Sequence, residues 1–278
     1  MYADDTTLYD INKSKSQVEI NLQAALNSVS TWCLNNGMVL NAAKTKVILI
    51  TTPQKRSRMA NKSLALKYKD INLELTTGDK ILGVHINENL KWDNHIKFLR
   101  KKISSNLWLL SRIKIFIPLN YRIMFYKAYI QPHLDYCSII WGSTKQSNIQ
   151  VLLRLQRRAC HIILGEQYTT LNDALKLINS LNIEKRISLQ RAKFMYRVSK
   201  NTVPSYIQNM FNYNLNRPNC LRSSNITDFI IPKPKTELFK GSMSYSGAKV
   251  WNTIPNDIRE CDSIKSFTFN YTKWINLD

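Results

Sequence analysis

Val18, Leu22, Ala25, Leu26, Val29, Trp32 and Cys33 recur at steps of three and four residues, which predicts a helix over 16–35 with one apolar stripe. Ser16 with Glu19 reads as its capping box, and Asn36-Gly37 as its left-handed stop. The pattern then shortens. Apolar runs at 38–40 and 47–51, alternation at Leu64, Leu66 and Tyr68 and again at Ile71, Leu73 and Leu75, and a run over 80–86 predict short strands. A polar, basic loop is expected over 54–62. After Trp92 the helical period returns: Ile96, Leu99, Ile103, Leu107 and Leu110 make one stripe, and further helices are expected at 121–130, 149–164, 171–178 and 184–199. Pro118 and Pro132 are read as the bounds of the first of these. From about residue 201 the pattern weakens, and an apolar patch of Trp251, Phe267, Phe269 and Trp274 ends the chain. The expected fold is α+β: short antiparallel strands with a helix over 1–91, a mainly helical domain over 92–200, and a loop-rich segment over 201–278.

Charge adds a location to this pattern. The 278 residues carry 40 Lys and Arg against 19 Asp and Glu, a formal +21, and residues 91–200 hold 20 of the cations and 5 of the acids, hence +15. A polyanion is the simplest partner for such a segment, and nucleic acid is the commonest polyanion. With 7 Gly and 8 Pro the chain is not collagen- or linker-like. No apolar run reaches the roughly 18 residues of a membrane span, and the opening carries Asp4 and Asp5 rather than an apolar leader, so an intracellular location is expected. The five cysteines are widely spaced and never form Cys-x-x-Cys, which favours reduced thiols over a disulfide framework or zinc module. The histidines, Cys160-His161 included, lack metal-site or nucleophile spacing.

One short motif bears on chemistry. Tyr2-Ala3-Asp4-Asp5-Thr6 sets two adjacent carboxylates at an expected turn, and paired carboxylates are what Mg²⁺ needs for in-line phosphoryl transfer, the remaining positions going to water and phosphate. Taken alone the motif is also compatible with two solvated acids at a frayed terminus.

Five segments in order resemble the reverse transcriptases of non-LTR retrotransposons (LINE-like, jockey/CR1-type). Tyr2-Ala3-Asp4-Asp5-Thr6 is similar to the polymerase aspartate-pair motif, and the helix ending Trp32-Cys33 to the palm helix after it. Leu40-Asn41-Ala42-Ala43-Lys44-Thr45-Lys46 is similar to the Leu-Asn-x-x-Lys-Thr segment. Ile81-Leu82-Gly83-Val84 with Leu90-x-Trp92-x-x-His95-Ile96 resembles the hairpin that positions the primer end and leads to the thumb. Gly247-Ala248-Lys249-Val250-Trp251-Asn252 with Ile254-Pro255 is similar to a C-terminal segment of these elements. The resemblance implies a palm remnant over 1–91, a thumb over 92–200 and an element-specific tail over 201–278. It implies that Asp4 and Asp5 hold Mg²⁺ and that Lys44 meets the dNTP phosphates or protonates the leaving pyrophosphate. Leu82 and Gly83 would let the backbone approach the primer, with an RNA template and DNA primer as partners. Trp92 and His95 are read as packing and helix-start residues.

On the helical domain, Lys97, Arg100, Lys101 and Lys102 fall on the polar faces of one helix, and Arg154, Arg157 and Arg158 form a second cluster at helical spacing. Such residues suit phosphate contacts without base readout. Trp108, Tyr121, Tyr126, Tyr129, Tyr136 and Trp141 interleave with the cations, most as core and one or two as stacking surfaces. Three readings remain: part of an RNA-directed DNA polymerase, with a nuclear location in a functional element; a non-catalytic basic nucleic-acid-binding helical protein derived from such an element; and a basic structural protein whose aspartate pair is accidental.

The resemblance places the fingers and an earlier palm aspartate outside these 278 residues. The purified 278-residue chain is therefore expected not to extend a primed RNA template with dNTPs and Mg²⁺ or Mn²⁺, for want of a third carboxylate and of a surface that orients the nucleotide. Primer-extension gels check this, and template-dependent extension lost in Asp4→Ala/Asp5→Ala would overturn it.

Overall fold

Two overlapping windows match a helix start, Ser14-x-x-Gln17 and Ser16-x-x-Glu19, and the chain uses the first. In the computed structural model, which describes residues 5–59, 64–213 and 227–276, α1 spans Lys15–Asn35, and Ser14 Oγ accepts from the Gln17 N–H. Glu19 is thereby free for another role: its carboxylate accepts the Ala65 N–H at 3.0 Å. One turn on, the Gln23 amide accepts from Lys67 N–H (2.9 Å) and donates to Lys67 C=O (2.8 Å), copying the pairing of a neighbouring strand. Gly37, at φ +66°, ends α1 as expected, with the Met38 N–H returning to Cys33 C=O and the Gly37 N–H to Leu34 C=O.

The chain forms two units, Met1–His95 and Ile96–Asp278. In the first, strands are shorter than the apolar runs suggest. β1 (Lys46–Val47) pairs in parallel with β4 (Glu74–Leu75), β2 (Lys67–Tyr68) antiparallel with β3 (Ile71–Asn72), and β5 (Gly78–Ile81) antiparallel with β6 (Val84–Asn87). One pair of three is thus parallel, where antiparallel strands alone are expected. Leu26, Val47, Leu64, Leu66, Tyr68 and Leu73 form this unit's core, with Val18 and Leu22 of the α1 stripe packed on it, while Trp32 at the end of that stripe is exposed. The basic segment after residue 53 is not a loop throughout. Thr52 caps α2 (Pro53–Ser57), and Arg56 reaches both the Glu88 carboxylate and Leu49 C=O. β5 and β6 meet in a two-residue turn, Leu82-Gly83, with both φ positive (+46° and +83°), the twist that suits a tight hairpin.

Trp92 and His95 are both buried at the start of α3 (Asp93–Ile113). The His85 N–H donates to His95 Nδ1 at 3.4 Å, so Nδ1 serves as an acceptor. Burial first, and the His85 charge second, lower the His95 pKa from 6.5 to about 4.

The second unit is helical. After α3 come α4 (Leu119–Phe125), a π turn (Tyr126–Ile130), α5 (Gln131–Asp135), α6 (Ser138–Trp141), α7 (Gln146–Leu164), α8 (Leu171–Leu177) and α9 (Ile183–Ser199). Pro132 therefore sits inside a continuing helix rather than ending one. It has no N–H and its ring crowds the carbonyl four residues back; the turn before it widens, with the Gln131 N–H reaching Tyr126 C=O. Gln156, on the inner side of α7, is 1% exposed yet fully bonded. Its amide donates to Tyr126 Oη and to Leu181 C=O, both at 3.1 Å, and accepts the Ile183 N–H at 2.8 Å. Asn182 caps α9 beside it, and one turn on Arg186 grips Asp135 of α5, Nε to Oδ1 at 2.8 Å and Nη2 to Oδ2.

The described part of 201–278 is largely helical, not loop-rich: α10 (Ser205–Gln208), α11 (Glu237–Lys240), α12 (Met243–Thr253), α13 (Asn256–Arg259) and α14 (Ile264–Ile275), with α12 and α14 packed on α9. Its motif residues build this core. A Cβ on Gly247 would meet Met243 Cε at 2.6 Å and Met195 Sδ at 2.8 Å, so glycine lets α12 approach α9. Trp251 stacks near Phe267 and under the Arg259 guanidinium, and the Asn252 amide exchanges two hydrogen bonds with the Phe229 backbone. Phe269 is exposed and does not join the patch.

Gln156→Leu leaves the Ile183 N–H, Leu181 C=O and Tyr126 hydroxyl short of a partner; a loss of about 3 kcal/mol or more in urea unfolding is expected, against almost none for the exposed Gln150→Leu. For His95 the folded pKa lies below the unfolded one, so its stabilising effect is full above pH 6.5 and is lost as the pH falls through about 4. Between pH 7 and 4 the wild type should lose about 3 kcal/mol more than His95→Gln, read from unfolding midpoints of both proteins.

Candidate nucleic-acid interface

An Asp or Glu weakens a phosphate-binding surface, and the first part of the helical unit holds almost none. From residue 94 to 165 there are 12 Lys and Arg and a single acid, Asp135. That one carboxylate is neutralised by the side-on grip of Arg186. No other acid over this stretch offsets the cations, a signal present in the sequence and finer than the +15 balance over 91–200.

The apolar period of α3 decides where its cations point. Ile96, Leu99, Ile103, Leu107 and Leu110 are buried, which turns Lys97, Arg100, Lys101 and Lys102 to the exposed side, and all four are exposed. Arg112, not singled out from the sequence, continues that surface and stands 5.4 Å from the Trp108 ring centroid. Lys102 lies 5.9 Å over Phe98, and its charge is the second cause, after burial, of a lowered His133 pKa. On α7 the same logic holds. Leu152, Leu155, Gln156, Ala159 and Ile163 face inward, and Arg154, Arg157 and Arg158 face out, followed on that side by His161, which stacks on Tyr168 at 3.5 Å. None of these seven cations has a carboxylate partner among the described residues. Arg122 is different: it donates to Ile117 C=O and Ile163 C=O and ties α4 to α7.

The interleaved aromatics divide. Tyr126 and Trp141 are completely buried, Trp141 donating its indole N–H to Tyr136 C=O, whereas Trp108, Tyr121, Tyr129 and Tyr136 are more than half exposed.

The chemistry-bearing candidates of the first unit fall partly outside the described residues. Asp4 lies outside the described residues, as do Tyr2 and Ala3; Asp5 is exposed. Lys44 is exposed on a turn built by its neighbours: Asn41 C=O accepts the N–H groups of Lys44 and Thr45 and the Thr45 hydroxyl. No hydrogen bond or ion pair joins Asp5 to Lys44 among the described residues, and no group of three or more His, Cys, Asp or Glu there is placed to hold a metal ion. Leu82 and Gly83 stand at a hairpin tip with the Leu82 side chain exposed, a shape that presents backbone outward.

Cys33, Cys137, Cys160 and Cys261 are unbridged, and burial raises the Cys160 thiol to about 11, which keeps it protonated and unreactive. Among the described residues no helix is long and apolar enough to cross a membrane. Comparison with known protein families, with curated proteins and with solved structures finds no match for this chain.

Proposed function

We propose that this chain binds nucleic acid through the sugar–phosphate backbone with its helical unit, in the manner of the thumb of a non-LTR retrotransposon reverse transcriptase, of which it resembles the end of the palm, the thumb and the tail. The observation that carries the reading is that α3 and α7 each expose a set of cations in a stretch whose one acid is already paired. A thumb must hold a template–primer duplex whose sequence changes at every step, so cations that meet phosphates and ignore base edges suit it. The ligand is an RNA template paired with a DNA primer; Mg²⁺ and dNTP belong to the intact enzyme. A second reading, a non-catalytic nucleic-acid-binding protein derived from such an element, is favoured by the exposed Asp5. Both readings share the binding surface and differ only in catalysis.

Phosphate contacts release counterions, so affinity for an RNA–DNA hybrid should fall with salt with a log–log slope of about −3 to −4 for four contacts. Changing Lys97, Arg100, Lys101 and Lys102 to Gln should flatten that slope and weaken binding to the hybrid and to unrelated duplexes alike. Fluorescence anisotropy across a salt series reads both quantities. Wild-type protein that binds neither at low salt would refute the reading.

A further inference from the structure

Resting on that nucleic-acid reading, we propose that the outer edge of α3 takes a single-stranded segment, with phosphates along Lys97 and Lys101 and one unpaired base stacked on the Trp108 indole. At 3.6 residues per turn, positions 97, 101, 108 and 112 fall within about 60° of one another around the helix axis, on the side opposite the buried Ile96, Leu99, Ile103, Leu107 and Leu110. The stripe reads cation, cation, aromatic, cation, with no acid on α3 after Asp93.

Trp108 is 56% exposed. A tryptophan is the largest apolar surface a fold can bury, and this one is left open on a helix that buries Leu107 and Leu110 on its other side. Helical side chains lean toward the preceding turn, which here holds Ser104 and Ser105, too short to cover an indole. Arg112, one turn beyond, lies over one face of the ring with its guanidinium 5.4 Å from the centroid, so a base would stack on the opposite face while the guanidinium meets a phosphate. A ring on a convex helix can stack only on a base whose face is free. Inside a duplex both faces are covered by neighbouring pairs, so the site selects an unpaired nucleotide over a paired one. An acidic peptide would satisfy the lysines but would leave the indole unused.

The test uses the full chain, a labelled oligothymidylate and a blunt duplex, with anisotropy at several salt concentrations. Trp108→Leu should weaken oligothymidylate binding about tenfold, leave its salt slope unchanged and leave duplex affinity within about twofold; Trp108→Phe should keep most of the affinity. Because the side chain is exposed, thermal unfolding of both variants should match the wild type. Wild-type binding that ignores Trp108, or an equal loss on the duplex, overturns this inference alone. Displacement of the oligonucleotide by an oligoglutamate in a Trp108-dependent way overturns it in favour of a protein partner. Absence of binding to either nucleic acid at low salt removes the underlying reading, and this inference with it.

Discussion

The helical unit depends on one amide. Gln156 is buried on α7, and a buried amide is tolerable only when its donors and acceptor are all used. It uses them on three segments at once: the π turn through Tyr126, the turn before α9 through Leu181, and the first residue of α9 through Ile183. Those bonds fix the rotation of α7. With 156 pointing in, 154, 157 and 158 point out. They also fix where α9 begins, hence where Arg186 projects, and so the pairing that removes Asp135 from the electrostatic surface. A neutral side chain in the core thus helps decide which charges face the solvent.

Much of this was legible in the residues, and the reasons for success and failure are physical. α3, α7 and α9 follow from an apolar period because each buries one face, and that same period turns Lys97, Lys101, Arg154 and Arg158 outward. The cap of α1 lies two residues before the expected one because Ser14 and Ser16 open equally good capping windows, and Glu19 is engaged instead by Ala65, 46 residues away. The helix at Pro53–Ser57 was hidden for a similar reason, its Arg56 being held by Glu88 and Leu49. Pro132 misled because a proline ends an α turn but not a widened one. The helical character of the last segment was obscured by prolines and asparagines that prove to be caps and connectors, Pro255 at the start of α13 among them.

The candidate site shows the same divide. Cations are legible since solvent is the default for an unpaired charge. Among the aromatics, Trp108 falls off the α3 stripe and its exposure follows, whereas Trp141 and Tyr126 are buried by neighbours that are distant in sequence. The resemblance directed attention to Asp4, Asp5 and Lys44, but chemistry at such groups needs convergence of several chain segments, which no local pattern encodes. The segment at Gly247 to Asn252 is the reverse case: a motif whose role in the fold is packing, read off once Met195 and Phe229 are placed beside it.

The π turn at Tyr126–Ile130 changes how the whole 119–135 rod counts its residues. On an α-helix a four-residue repeat drifts by about 40° per step, and a wider turn takes that drift back. Tyr126, Ile130 and Leu134 therefore stay in line and all lie buried. Tightening this turn into ordinary α-helix with every residue kept would swing everything after it around the axis by roughly a quarter turn. Asp135 would leave Arg186, and a buried guanidinium would stand alone while a carboxylate moved toward the basic face. A change of winding here would be felt as charge, whereas the loss of one residue would be absorbed, since a π turn is an α turn with one residue more.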